Sequence, residues 1–182
     1  NSLLRIASSM PIRDIDSFAI DGGRLLQVSS NRGVNGIDGT IATTFGEAAI
    51  HEGPVAVLMG DLSFIHDAAS LLTAPHPHTP TVFTVVNNGG GGIFGFLPMK
   101  DHPTGFEPWY VTPHDHDIRA VSSAAGAKVS EPETLAEFID ALSAALQTPG
   151  VTVLHLKVDR AHSTQRHHDA WSAICRAVEA MR

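Results

Sequence analysis

The stretch from Met59 to Phe94 decides the fold. It opens with Met59-Gly60-Asp61-Leu62-Ser63, directly after Val55-Ala56-Val57-Leu58, and closes with Asn87-Asn88-Gly89-Gly90-Gly91-Gly92-Ile93-Phe94, directly after Thr81-Val82-Phe83-Thr84-Val85-Val86. Each apolar run is short and continuous, which suits a strand buried on both faces. Each ends in a polar turn that contains glycine. The interval Leu62 to Asn87 has room for one helix and one returning strand, a single crossover. Parallel neighbours would then carry Asp61 and Asn88 on adjacent carboxyl ends. Open α/β sheets bind their ligands at that edge.

The groups collected there have a definite chemistry. Asp61 offers a carboxylate oxygen, Asn88 a carboxamide oxygen and the backbone near Gly90 a carbonyl. Mg²⁺ takes a few such oxygens and completes its octahedron with phosphates and water. Backbone amides across Gly89–Gly92, and at the start of the helix expected after Asp61, suit phosphate oxygens. An Asp after a strand also caps helices, and Asn-Asn-Gly also makes plain turns. The joint spacing on two buried strands favours a site. The glycine run has neither the G-x-G-x-x-G pattern nor the lysine of a P-loop.

Outward from this stretch, strands and helices alternate. Pro11 is placed to open a short helix through Phe18, with Ser8 or Ser9 near its cap. Asp21-Gly22-Gly23 reads as a turn, Leu25–Val28 as a strand and residues 37–51 as a helix. Ser63–Ala74 reads as one helix with Ser63 at its N-cap, and Pro75, Pro77 and Pro80 end it. Residues 89–113 form a long irregular segment, a length more often functional than accidental. Asp115–Ala125 then reads as a helix and Lys128-Val129 as a brief strand. Ser130-Glu131-Pro132-Glu133 has capping-box spacing ahead of an amphipathic helix with Leu135, Phe138, Ile139, Leu142 and Leu146. Val151–Lys157 reads as a strand and Thr164–Met181 as a last helix. The expected class is α/β: an open, mainly parallel sheet with helices on both faces.

Composition narrows the function classes. The 182 residues are 43% hydrophobic and 17% charged, with a net charge of −7 and no basic run. That balance argues against a nucleic-acid partner, which needs a basic face. The single cysteine, Cys175, excludes an intrachain disulfide and is expected to be a small buried residue of the last helix. No apolar run approaches the roughly 18 residues of a membrane span, and no signal peptide is visible, so a cytoplasmic location is expected. The eleven histidines include the close pairs His76/His78, His114/His116 and His167/His168. They are expected to be solvated loop groups rather than a zinc centre. Glu47 is expected to be a solvated helix residue. The chain starts at Asn1 without methionine, as a processed protein or a piece of a longer one would.

Gly60-Asp61 with Asn87-Asn88 resembles the thiamine-diphosphate motif, Gly-Asp-Gly followed some two dozen residues later by Asn-Asn. Leu62 replaces the usual third glycine. Gly60-Asp61-Leu62-Ser63 is similar to the version in the MenD family of 2-succinyl-5-enolpyruvyl-6-hydroxy-3-cyclohexene-1-carboxylate synthases. Three further segments look like that family: Ser8-Ser9-Met10-Pro11-Ile12-Arg13, the run from Ser29 to Gly39, and Val85–Gly90 with Ile93-Phe94. The resemblance covers most of residues 8–100. It implies a thiamine-diphosphate-binding fold, with residues 1–182 as the single C-terminal diphosphate-binding domain of a three-domain enzyme.

The same resemblance implies roles. Asp61, Asn88 and the Gly90 carbonyl would bind Mg²⁺ or Mn²⁺, and Ser63, with backbone at Gly60, Leu62 and Gly91, would touch the diphosphate. Ile37 would be the apolar wedge that bends thiamine diphosphate, and Ile93 and Phe94 would line the pocket beside the reacting carbon. Arg32, Arg13 and Ser9 would hold carboxylates of 2-oxoglutarate and isochorismate, the substrates of menaquinone biosynthesis that the family joins after decarboxylation. The activating glutamate is expected on the N-terminal pyrimidine-binding domain of a second subunit, within a homodimer or homotetramer. The isolated chain is therefore expected to be inactive. Another enzyme of the superfamily, such as an acetohydroxyacid synthase or a 2-oxoacid decarboxylase, and a non-catalytic phosphate-binding module are the competing readings.

Overall fold

The computed structural model describes residues 1–19, 26–34 and 36–181. Six strands form one sheet: β1 (Leu3–Ile6), β2 (Gln27–Ser29), β3 (Val55–Gly60), β4 (Thr81–Asn87), β5 (Lys128–Ser130) and β6 (Val151–Lys157). Their order is β2-β1-β3-β4-β6-β5, and every pair is parallel. Among the described residues the helices are α1 (Met10–Phe18), α2 (Thr40–Ile50), α3 (Asp61–His66), α4 (Ala68–Thr73), α5 (Pro103–Phe106), α6 (Ile118–Ala124), α7 (Leu135–Ala145) and α8 (Arg160–Ala180). The α/β class and the parallel sheet stand as expected.

Two compact units divide the chain: Asn1–Asn87 with Asp115–Lys157, and Asn88–His114 with Val158–Arg182. The first holds the sheet and its core. Val55, Val57 and Met59 of β3 and Phe83 and Val85 of β4 pack with Ile41, Phe45, Phe64, Leu71 and Ile118. The second holds the glycine run, two turns of 3-10 helix at Gly92–Phe96 and Pro98–Asp101, α5, a π-helical turn at Glu107–Val111, and α8. Within it Phe96 packs on Trp171, with ring centroids 5.2 Å apart, and Arg160 grips the Glu107 carboxylate at 2.8 and 3.0 Å. Among the described residues no helix is long and apolar enough to cross a membrane.

Several local expectations are corrected. Residues 3–6 form a strand that the sequence pattern hid, because Arg5 interrupts its apolar run. The helix expected over Ser63–Ala74 is two helices broken at Asp67, and it starts at Asp61 with Gly60, not Ser63, at the N-cap. The break has a cause. Asp67 Oδ2 accepts from the amides of Ile41 (2.6 Å) and Ala42 (3.0 Å) at the start of α2. The residue before that helix is Gly39, which has no side chain to cap it. The capping box falls at Thr134 and Glu137 rather than Ser130 and Glu133, because Ser130 is paired in β5.

In α7 the stripe is only half buried, with Leu135 and Ile139 exposed. The last helix begins four residues earlier than expected, at Arg160, and buries no residue. Cys175 is exposed rather than buried. Asp21-Gly22-Gly23, Leu25 and Asn35 lie outside the described residues.

Candidate active site

The switch in strand order determines where a crevice can open. The chain leaves β1 to one side for β2, then returns past β1 to β3. The carboxyl ends of β1 and β3 therefore flank a topological switch point. Ser8 and Ser9 follow β1, and Gly60 and Asp61 end β3. On the other side of β3, Gly60 stands opposite Val86 in register, so Asp61 and Asn87 continue from adjacent strand ends. The one-crossover spacing thus produces neighbouring strands.

Asp61 is 2% exposed, and its Oδ1 accepts from the Leu62 amide at 2.7 Å. Ser63 is buried beside it in sequence, and Leu62 is half-buried. A Cβ built on Gly60 would meet no atom within 4 Å, so the space beside the end of β3 is open. Ser9 has φ 77°, a backbone position that costs a side-chain-bearing residue about 1–3 kcal/mol and recurs where ligands are held. The carbonyl of Ser9 accepts from Arg13 Nη1 at 2.6 Å, so those two expected residues meet on α1. Arg32 is exposed on the loop after β2, and half-buried Ile37 precedes α2.

The remaining candidates belong to the second unit. Asn88 follows β4 directly, and its amide packs against Gly92, where a Cβ would come within 2.3 Å of Nδ2. Gly90 has φ 141°, and a Cβ there would lie 2.4 Å from the Val111 carbonyl. Only glycine fits. The Gly91 amide donates to Val111 O at 2.7 Å, which ties the run to the π-helical turn. Ile93 and Phe94 are half-buried, and Phe94 packs edge-on against Tyr110 at 5.6 Å.

Taken one by one, Asp61 offers a carboxylate oxygen, Asn88 a carboxamide oxygen and Gly90 a carbonyl oxygen, donors of the kind a hard cation takes. Among the described residues no three His, Cys, Asp or Glu side chains gather as a metal centre.

Two buried polar clusters escaped the sequence reading. His155 of β6 is 4% exposed, so not all histidines are solvated. Its Nδ1 lies 2.8 Å from Glu131 Oε1 and its Nε2 2.9 Å from Asn87 Nδ2. A carboxylate only accepts and an amide nitrogen only donates, so an imidazole with its proton on Nδ1 satisfies both. The Arg119 guanidinium, 2.6 Å from Glu131, is the main cause that holds its carboxyl down from 4.5 to about 2. Burial opposes the shift, and His155 and Lys157 assist it.

The second cluster surrounds Arg5, which is 2% exposed. Its Nη1 donates to Glu47 Oε1 at 2.6 Å and to Ser29 Oγ at 3.2 Å, and its Nη2 donates to Asn31 Oδ1. Glu47 is therefore an ion-pair partner, not a solvated residue. The only sequence signal for either cluster was a charged or titratable residue inside a strand run.

The six-stranded parallel α/β fold is that of thiamine-diphosphate-dependent enzymes. The chain belongs to the family described as Thiamine pyrophosphate enzyme, C-terminal TPP binding domain, matched over residues 24–156. Within that class it is 39% identical over 178 residues to the 2-succinyl-5-enolpyruvyl-6-hydroxy-3-cyclohexene-1-carboxylate synthase of Bacillus velezensis, covering 98% of this chain and 31% of that protein. It is 41% identical over 163 residues to the synthase of the same name from Rubrobacter xylanophilus, covering 90% of this chain and 28% of that one. The chain thus spans less than a third of the length of these relatives.

Among solved structures it is similar to benzoylformate decarboxylase from Polynucleobacter necessarius, with a TM-score of 0.63 at 26% identity, over 87% of this chain and 30% of that one. A solved structure from Mycobacterium smegmatis shares the fold, with a TM-score of 0.65 at 20% identity, over 87% of this chain and 29% of that one.

Proposed function

We propose that this chain is the diphosphate- and metal-binding domain of a thiamine-diphosphate-dependent, cytoplasmic transferase of the synthase type named above. The reaction would decarboxylate 2-oxoglutarate and add the remaining succinyl unit to the ring alkene of isochorismate. The observation that supports it most is the register of β3 and β4, which pairs Gly60 with Val86 and so brings the Gly60-Asp61 strand end beside Asn87.

In this reading Asp61, Asn88 and the Gly90 carbonyl hold Mg²⁺ or Mn²⁺. Ser63 and the backbone of Gly60, Leu62 and Gly91 meet the diphosphate. Ile37 supports the cofactor from below, and Ile93 and Phe94 keep water from the reacting carbon. Arg32, Arg13 and Ser9 hold substrate carboxylates, for which a guanidinium fork is the suited donor. Bound thiamine diphosphate supplies the electron sink for the carbanion left as carbon dioxide departs. The glutamate that activates it would come from the pyrimidine-binding domain of a second subunit, so this chain alone should give no turnover.

Calorimetry with thiamine diphosphate and Mg²⁺ on the full-length protein tests the metal assignment. Asp61→Ala is expected to weaken Mg²⁺-dependent binding at least about a hundredfold. Equal binding by both proteins would sink the assignment. Incubation with 2-oxoglutarate and isochorismate then separates the transferase from a plain decarboxylase, the reading that the likeness to benzoylformate decarboxylase favours. Succinyl semialdehyde as the sole product would decide for the decarboxylase.

A further inference from the structure

Arg5 is a full-length cation buried in the sheet, yet the roles proposed above leave it unused. Its guanidinium joins three elements of one unit: β1 that carries it, α2 through Glu47, and the segment leaving β2 through Ser29 and Asn31. Asn31 is half-buried, and the next residues, Arg32, Gly33 and Val34, are exposed and carry no regular structure. We infer that Arg5 is a positioning residue for Arg32, fastening the Ser29–Asn31 segment so that Arg32 stands ready for a substrate carboxylate. The inference rests on the proposal that Arg32 binds such a group.

Stability does not account for this cluster. A buried ion pair roughly balances the cost of removing two charges from water, and apolar residues of similar volume do as well or better. Here the balance is worse. Among the described residues, Arg5 Nε and Glu47 Oε2 are buried with no hydrogen-bond partner, and buried polar atoms without partners add to the cost. What the pair achieves is geometric. One arm of a planar fork meets Glu47 and Ser29 and the other meets Asn31, so the segment cannot shift without breaking several bonds. A lysine ammonium has no such fork.

The test uses the full-length protein. Arg5→Met/Glu47→Leu removes both charges and keeps the volume. Its melting temperature should equal or exceed that of the wild type. Amide exchange across residues 29–34 should rise at least about tenfold. KM for 2-oxoglutarate should rise about tenfold, with kcat within about twofold. Arg5→Lys keeps the charge beside Glu47 but loses the fork, and should raise both exchange and KM in the same way. It carries the test if the double variant does not fold.

Wild-type exchange in 29–34 would overturn the inference. So would a fall in melting temperature with KM unchanged, because a purely structural pair predicts that result. Arg32→Gln is measured alongside. If its KM is unchanged, the reading of Arg32 fails, and the exchange data alone decide whether Arg5 fastens the segment.

Discussion

The sheet contains two buried polar clusters, one on each side of its two central strands. Arg5 sits on β1, the neighbour of β3, and His155 on β6, the neighbour of β4. Each ties a polar segment at a strand end into the sheet: Asn31 after β2 in one case, Asn87 at the end of β4 in the other. They differ in the charge they bury. Arg5 is a permanent cation with almost no exposure, whereas His155 satisfies its contacts as a neutral ring. The ionic part of the second cluster lies nearer water, with Glu131 26% and Arg119 53% exposed. Breaking the first should therefore cost more than breaking the second, and the second should be the more sensitive to salt.

Arg5→Met alone carries the largest expected effect. It leaves the Glu47 carboxylate, 23% exposed, without its cation. The loss should be roughly 3 kcal/mol, measured by urea unfolding at pH 7. A loss below about 1 kcal/mol would mean that water replaces the guanidinium, and the contrast between the clusters would collapse. His155→Leu comes next, at about 1–2 kcal/mol, for it removes the acceptor facing the Asn87 amide and the donor facing Glu131. Should it cost as much as Arg5→Met, burial rather than charge would be the controlling variable.

The third effect is acid sensitivity. Glu131 has its carboxyl lowered from 4.5 to about 2, chiefly by Arg119. A carboxyl lowered in the folded state contributes stability that is fully present above its unfolded value. That stability is lost as pH falls from about 4.5 toward 2. Because Arg119 is half exposed, solvent screening trims the contribution to about 1–2 kcal/mol. Unfolding free energies of the wild type and Glu131→Gln should therefore converge between pH 4.5 and 2. Parallel curves across that window would remove Glu131 from the acid response.

How far the sequence foretold this contrast follows from the same physics. β3 and β4 are short apolar runs bounded by turn residues, so they read as neighbouring buried strands. The Gly60-Asp61 and Asn87-Asn88 ends were legible because side-chain chemistry and spacing coincide there. β1 was not, because Arg5 breaks the apolar pattern, and nothing local shows that a residue 42 positions away will neutralise it. Glu47 read as solvated for the same reason. Ser63–Ala74 read as one helix because Asp67 leaves the helical path to cap α2, a contact across 26 positions. Periodicity reports what a segment does with its neighbours in the chain. Buried polar clusters are built from residues that meet only after folding.

The smallest expected effect sharpens the contrast most. Arg119→Gln keeps the side chain's reach and removes its charge from an exposed pair with Glu131 at 2.6 Å. Exposed pairs are worth about 0.2–1 kcal/mol, and salt screens them. The loss at low ionic strength should be about 0.5 kcal/mol and should fade at roughly 1 M salt, where the Debye length is near 3 Å. Lys157, 3.3 Å from the same carboxylate and 72% exposed, shares the load and limits the loss further. The cost of Arg5→Met should by contrast hardly move with salt, because counterions cannot approach a side chain that is 2% exposed. Urea titrations of the two variants at low and high salt read the difference directly. Equal salt dependence would show that depth in the sheet does not separate the clusters.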